Sequence, residues 1–387
     1  MKLREIHIKG FKSIDGDAGQ TIRFGDVTVL LGANGSGKSN LVSFFKMIGY
    51  MVEGALGHYV GKHGVSRLLF YGPKQTKSIS IDFIYLSDTQ LNEYSAILSH
   101  GLPDRLFYSF EKAASNNKIS RNVPNPSSDD FRDVFNDFNL KEYVFDIGKS
   151  ESALKRDDNE TSKSLYTLLS GIRTYQFHDT SDTAAIKDRG NIDDAKFLHG
   201  DGGNLAAFLK MLKEYAPYEK YYKRIVRHIQ VIMPQFSDFD LEPLPGNKDY
   251  VRLNWKDASG SDYLFDPHQI SDGSLRFMAL ATLLLQPPDL LPKFIVLDEP
   301  ELGLHPAAIA ELGGLVKIAT ENAQVLLATQ STRLVDEFLL DEIVIVERDE
   351  QKQCSIFKKL DAEQLKNWLE HYSLSELWEK NVLGGQP

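Results

Sequence analysis

Residues 32–39 read GANGSGKS, and no other stretch restricts the fold as much. Val27 to Leu31 before them is a continuously apolar, β-branched run, the pattern of a buried parallel strand. LVSFFKMI after them has the apolar spacing of a helix. A strand, a glycine-rich turn and a helix in that order form a phosphate cradle. Gly32, Gly35 and Gly37 let the backbone turn tightly and aim N–H groups at phosphate oxygens. The helix N-terminus adds a favourable dipole. In this pattern Lys38 reaches the β- and γ-phosphates and the Ser39 hydroxyl ligates Mg²⁺.

A second motif lies far along the chain. FIVLDE (294–299) is four apolar residues ending in two carboxylates, so a buried strand delivers both acids to one sheet edge, where open α/β folds bind ligands. There Asp298 is expected to hold the Mg²⁺ shell and Glu299 to orient or deprotonate an attacking water. The double acid points to a hydrolase that activates water rather than a kinase.

The 387 residues exceed one compact core, so two lobes or a domain with a large insertion are expected. The single cysteine, Cys354, excludes an internal disulfide framework and suits a reducing cytosol. No stretch approaches the ~20 apolar residues of a membrane span, and the N-terminus lacks a signal-peptide core. A cytoplasmic protein without membrane partners is expected. The net charge of −10 argues against a chain built uniformly to coat nucleic acid, though not against a local basic groove.

Strands are predicted over 2–9, 27–31, 78–85, 294–297, 325–328 and 343–346. A helical segment over 204–229 breaks near Pro217. Residues 112–163, rich in Asn, Ser, Asp and Lys and with Pro124 and Pro126 close together, read as a loop-rich insertion. The layout expected is an ATPase lobe over 1–110, an insertion over 111–165, a strand and helical lobe over 166–270, a motif-bearing region over 271–350 and a helical tail over 351–387. No heptads are sustained, so no long coiled coil is expected.

The ordered set GFKSI (10–14), GANGSGKS (32–39), SDGSLR (271–276), IVLDEPELGLHP (295–306) and LLATQS (326–331) resembles the RecF/SMC-like branch of ABC-type ATPases, in the AAA_21 group of predicted ATPases. The end of the chain, WLEHYSLSELWEKNVLGGQP (368–387), resembles the tail of one uncharacterised bacterial family in that group. The resemblance implies a two-lobed α/β fold with a mixed or parallel sheet and a helical insertion. It implies ATP and Mg²⁺ as cofactors, with Asn34, Gly35, Ser36, Gly37, Lys38, Ser39 and Asn40 around the phosphates. Lys12 and Ser13 would lie near adenine and ribose. Ser271, Gly273 and Ser274 would form a signature that contacts the γ-phosphate held by a second copy, making an ATP-dependent homodimer or a higher oligomer. Glu301 to His305 would carry signals across that dimer. Gln330 stands where a switch histidine is often found; glutamine can hydrogen-bond to water or phosphate but carries no charge. Gln176 in TYQFHD is the candidate for a loop that touches Mg²⁺, an interior strand glutamine being the other reading. Arg276 reads equally as a trans-acting arginine or as a surface one.

Two loads fit this motor. One is DNA, held by KEYAPYEKYYKRIVRH (213–228), with Lys220, Lys223, Arg224 and Arg227 on phosphates and Tyr221 and Tyr222 stacking on bases. A solvated helix face explains the same residues. The other is a separately encoded nuclease or toxin that the ATPase holds or releases. A nuclease in cis is not expected, because only about 40 residues follow Ile345, short of an ordinary domain. Trp368 and Trp378 read as core packing or dimer contacts.

Overall fold

The computed structural model describes residues 1–116 and 140–386. Two compact units interleave along the chain. The first comprises Met1–Arg173, Asp341–Asn367 and Lys380–Pro387, and the second comprises Thr174–Leu340 and Trp368–Glu379.

In the first unit, strands β1 (Lys2–Lys9), β2 (Gln20–Arg23), β4 (Ser78–Leu86), β5 (Leu91–Gly101), β6 (Arg105–Asn116) and β7 (Lys141–Val144) form one antiparallel sheet in the order 2-1-4-5-6-7. Strand β3 (Val27–Leu31) pairs in parallel with Ile343–Arg348, which pairs antiparallel with Ser355–Lys359. All five residues of β3 are buried, as its apolar run predicts. Helix α1 (Lys38–Glu53) follows the glycine loop. Its buried residues Leu41, Phe44, Phe45, Ile48 and Val52 recur at helical spacing, so one face is apolar. Phe44 stacks on Phe83 of β4, with ring centroids 6.0 Å apart, and meets Phe11 edge-on at 5.6 Å. Each such side chain stabilises the contact by about 1.5–3 kcal/mol. The glycine loop is thereby anchored to a large sheet. Gly54, left-handed at φ 77°, ends the helix.

Four strands of that sheet, β2, β5, β6 and β7, escaped the sequence reading. β5 and most of β6 carry serine, glutamate, asparagine and lysine, yet Glu111 and Ser115 are buried. Glu111 accepts from Tyr94 and Ser152, and Ser115 pairs with Thr161 at 2.8 Å. Polar residues satisfied by one another pack as a core, which composition alone does not reveal. The expected loop-rich stretch of 112–163 therefore contains the end of β6, all of β7 and the start of a helix at Glu160–Ser170. Pro124 and Pro126 lie outside the described residues.

In the second unit the strands Phe294–Asp298 and Gln324–Thr329 pair in parallel, every residue of both buried. The helix Asp272–Leu285 is apolar nearly all round and buried from Phe277 to Leu285. The predicted helical segment is two helices, Leu205–Glu214 and Glu219–Ile232, on either side of Pro217. A small antiparallel sheet joins Phe236–Asp240, Asn254–Asp257 and Leu264–Phe265. The tail is less helical than expected: helices cover Ala362–Leu369 and Leu374–Glu379, and an irregular stretch follows to Gln386. Trp378 is buried at 6% exposure, whereas Trp368 is 43% exposed with its ring beside Tyr372. Among the described residues no helix is long and apolar enough to cross a membrane.

Candidate functional site

The phosphate loop belongs to the first unit. Gly37, at φ 119°, is the N-cap of α1 and brings no side chain to cap it. The first-turn amides of this helix are the kind of donors that bind anions. Lys38 is buried, and its Nζ donates to the carbonyl oxygens of Gly32 (2.5 Å) and Ala33 (2.9 Å). A buried ammonium held by its own loop is a cation ready for a phosphate. The Ser36 hydroxyl is buried without a hydrogen-bond partner inside the same turn. Asn34, Gly35 and Ser39 are exposed. The donor set, the lysine and the orphaned hydroxyl suit a polyphosphate.

The backbone here has no room to spare. A Cβ on Gly37 would lie 2.0 Å from Ser355 Oγ, and one on Gly32 would lie 2.2 Å from the carbonyl oxygen of Val346. Ser355, 1% exposed, donates to the Ser36 carbonyl at 2.6 Å and bonds to Ser13 at 2.7 Å, while Asn40 donates to Ser13 at 2.8 Å. Ser13 and Asn40 thus brace the loop's outer side. Ser355 was not singled out from sequence, since a lone serine in QKQCSIFKK carries no signal.

Lys12, Ser13 and Asn40 also line a cleft of about 440 Å³ with His63, Arg67 and Arg348. Lys12 sits at φ 49° and donates to Ser43 of α1 at 2.6 Å. Burial holds its ammonium below the usual lysine range. Partial burial and the surrounding cations, Lys12 among them, do the same to His63. The cleft is electropositive, and Tyr71 supplies an exposed ring at its edge.

The acidic pair belongs to the second unit. Asp298 ends its buried strand, and Gln176 Nε2 donates to Asp298 Oδ2 at 2.8 Å. The two expected metal-side residues therefore touch. Gln176 lies just past the strand Ile172–Tyr175 rather than inside it. His178 Nε2 donates to the Asp298 carbonyl at 2.7 Å, and Asp179 bonds instead to Ser181, so these neighbours form no metal pair. Among the described residues no cluster of three or more His, Cys, Asp or Glu side chains can hold a metal by itself. That suits Mg²⁺, which is normally held by one or two protein oxygens together with phosphates and water.

Glu299 is half-buried at φ 42°, a conformation that costs a non-glycine residue about 1–3 kcal/mol. Its N–H donates to the Ala328 carbonyl at 2.7 Å, which ties it to the strand leading to Gln330. Glu301 fastens the same place: Thr329 Oγ1 donates to Glu301 Oε1 at 2.5 Å, and the Ser331 N–H donates to Thr329 Oγ1 at 2.9 Å. Burial raises the Glu301 carboxyl above its usual range, and its Oε2 has no partner. Gln330 itself is exposed.

At the start of the helix Asp272–Leu285, the Ser271 hydroxyl accepts from the Ser274 N–H at 3.2 Å. A Cβ on Gly273 would lie 2.3 Å from the Gly303 carbonyl, so the SDGS turn packs directly on the LGL loop. Arg276 is half-buried and fully engaged within its own chain. It donates to the carbonyls of Phe177 (3.1 Å), His178 (2.9 Å) and Leu302 (3.0 Å) and to Thr180 Oγ1 (3.1 Å). One guanidinium thereby ties the Gln176 loop, the SDGS helix and the loop after Asp298, all within one unit.

The basic helix Glu219–Ile232 buries one of its two candidate stacking tyrosines. Tyr222 is buried and donates to Asp238 at 2.5 Å, so it cannot stack on a base, and Lys223 is paired with Glu219.

The chain matches the model of the AAA_21 family, described as "AAA domain, putative AbiEii toxin, Type IV TA system", over residues 27–336. That span is most of the chain, and the protein belongs to this family. Its fold is similar to an SMC head solved bound to the C-winged helix domain of ScpA: 17% identity, 94% of this chain and 99% of that one covered, TM-score 0.54. The SMC head domain from Thermotoga maritima is also similar, at 16% identity over 93% of this chain and 100% of that one, TM-score 0.44. A comparison with curated proteins finds no match.

Proposed function

We propose that the chain binds ATP with Mg²⁺ and hydrolyses it, and that ATP binding drives its self-association. The observation that carries this reading is Lys38, buried in its loop at the start of an uncapped helix in an AAA_21 chain. In this reading the loop amides and Lys38 bind the phosphates. Ser39 and Asp298 are each an oxygen ligand for Mg²⁺, and Gln176 holds Asp298 in place. Mg²⁺ neutralises phosphate charge when bound. Glu299 takes a proton from, or orients, the attacking water, and Gln330 hydrogen-bonds beside it. Ser271, Gly273 and Ser274 act on nucleotide held by a second copy, because a γ-phosphate needs donors on every side as charge develops.

The test is Glu299→Gln. It is expected to bind ATP as wild type does, to lose hydrolysis by about a hundredfold or more, and to accumulate as a dimer with ATP. A Glu299→Gln chain that stays monomeric by light scattering with ATP sinks the self-association.

For the load, we favour a separately encoded protein effector, such as a nuclease or toxin, over DNA. The support is the burial of Tyr222 and the pairing of Lys223, which remove half of the stacking and part of the charge that the DNA reading uses. The family's toxin-related description and the ScpA-bound neighbour suit a protein partner. Fluorescence anisotropy at two salt concentrations separates the two, since salt-sensitive, ATP-dependent binding of DNA would reverse this preference.

A further inference from the structure

Beyond Glu379 the chain runs through residues 380–386 along the phosphate loop, within the first unit. The Ala33 N–H donates to the Gly385 carbonyl at 3.0 Å. The Ala33 carbonyl, on the other side of the same residue, accepts from Lys38 Nζ at 2.9 Å. Ala33 is thus gripped at both of its backbone polar groups, once by the lysine and once by a distant stretch of chain.

The sequence of that stretch suits the task. Leu383 is buried at 7% exposure and anchors it. Asn381, Gly384 and Gly385 all hold left-handed backbone, at φ 54°, 79° and 77°. Glycine takes this conformation without steric cost, and asparagine takes it more readily than other side chains. A Cβ on Gly384 would come within 3.2 Å of Glu347 Oε2. The pair Gly384-Gly385 lets a backbone carbonyl, rather than a side chain, reach the loop. Between this stretch and Ala33–Ser36 lies a cleft of about 460 Å³, so the contact is an edge and the loop's tip stays open.

We infer that residues 381–386 are a strap that positions the phosphate loop, with Gly385 as its contact point. This rests on the ATP reading. A phosphate draws on the same Lys38 ammonium that holds the Gly32 and Ala33 carbonyls. When it does, the Gly385 carbonyl still holds Ala33, and the loop keeps its shape. The strap therefore sets how tightly nucleotide binds and leaves the turnover of bound nucleotide unchanged.

The test uses the full chain, a fluorescent ATP analogue and phosphate release. Gly385→Val, which resists left-handed backbone, is expected to weaken the analogue about tenfold, with kcat within about twofold of wild type. Gly385→Asn is expected to stay within about twofold of wild type in both. Melting without nucleotide should fall for Gly385→Val, because valine strains left-handed backbone, and should match wild type for Gly385→Asn. Equal losses in the Val and Asn variants, or a loss confined to kcat, overturn the strap. If Gly385→Val does not fold, hydrogen exchange on the wild-type chain decides. A slowly exchanging Ala33 amide without nucleotide upholds the contact, and a freely exchanging one refutes it. A wild-type chain that does not bind the analogue fails the ATP reading and this inference together. Normal binding by both wild type and a folded Gly385→Val fails this inference alone.

Discussion

At the scale of single residues, the phosphate loop is set by what cannot be added to it. Gly37 holds φ 119° with Ser355 Oγ in the place where a Cβ would sit. Gly37→Ala is expected to cost about 1–3 kcal/mol of stability by urea unfolding and to abolish ATP binding. Glu301 offers a pH-dependent check. Burial lifts its carboxyl above the ordinary 4.5, so the folded chain holds that proton more tightly than the unfolded chain. The stability this supplies is complete below the unfolded value and is lost as pH rises through the folded one. Glu301→Gln cannot ionise. Its melting temperature relative to wild type should therefore rise as pH climbs above the ordinary 4.5, and a difference that stays flat would contradict the account.

Among the elements, Arg276 is the residue whose role sequence could not supply. A lone arginine after SDGSL reads as readily from one chain as from two. Three of its four hydrogen bonds reach a loop about a hundred positions away in sequence and the fourth reaches Leu302, 26 positions away, and no periodicity reports such contacts. Arg276→Lys should fail as Arg276→Ala does, because an ammonium cannot copy the guanidinium fork. Either change should lower hydrolysis about tenfold at saturating ATP while sparing ATP affinity, with faster hydrogen exchange over 176–181. The parallel strands and the phosphate loop were legible because a fully buried strand must be continuously apolar and a tight anion-binding turn must be glycine-rich. β5 and β6 were not, because their buried polar residues satisfy one another. The strap was not legible either: the tail over 351–387 reads as helical, and nothing local says which backbone Gly385 meets.

For the whole molecule, the interleaved units explain why the sequence suggests lobes without giving their edges. The first unit is completed by Asp341–Asn367 and Lys380–Pro387, which return to it after the second unit has been built. The central claim is that this AAA_21 chain is an ATPase working through Lys38 and Glu299. The most direct measurement is phosphate release beside equilibrium binding of ATP for wild type, Lys38→Ala and Glu299→Gln. The account predicts binding and hydrolysis in wild type, neither in Lys38→Ala, and binding without hydrolysis in Glu299→Gln. Phosphate release by Glu299→Gln at the wild-type rate would contradict it.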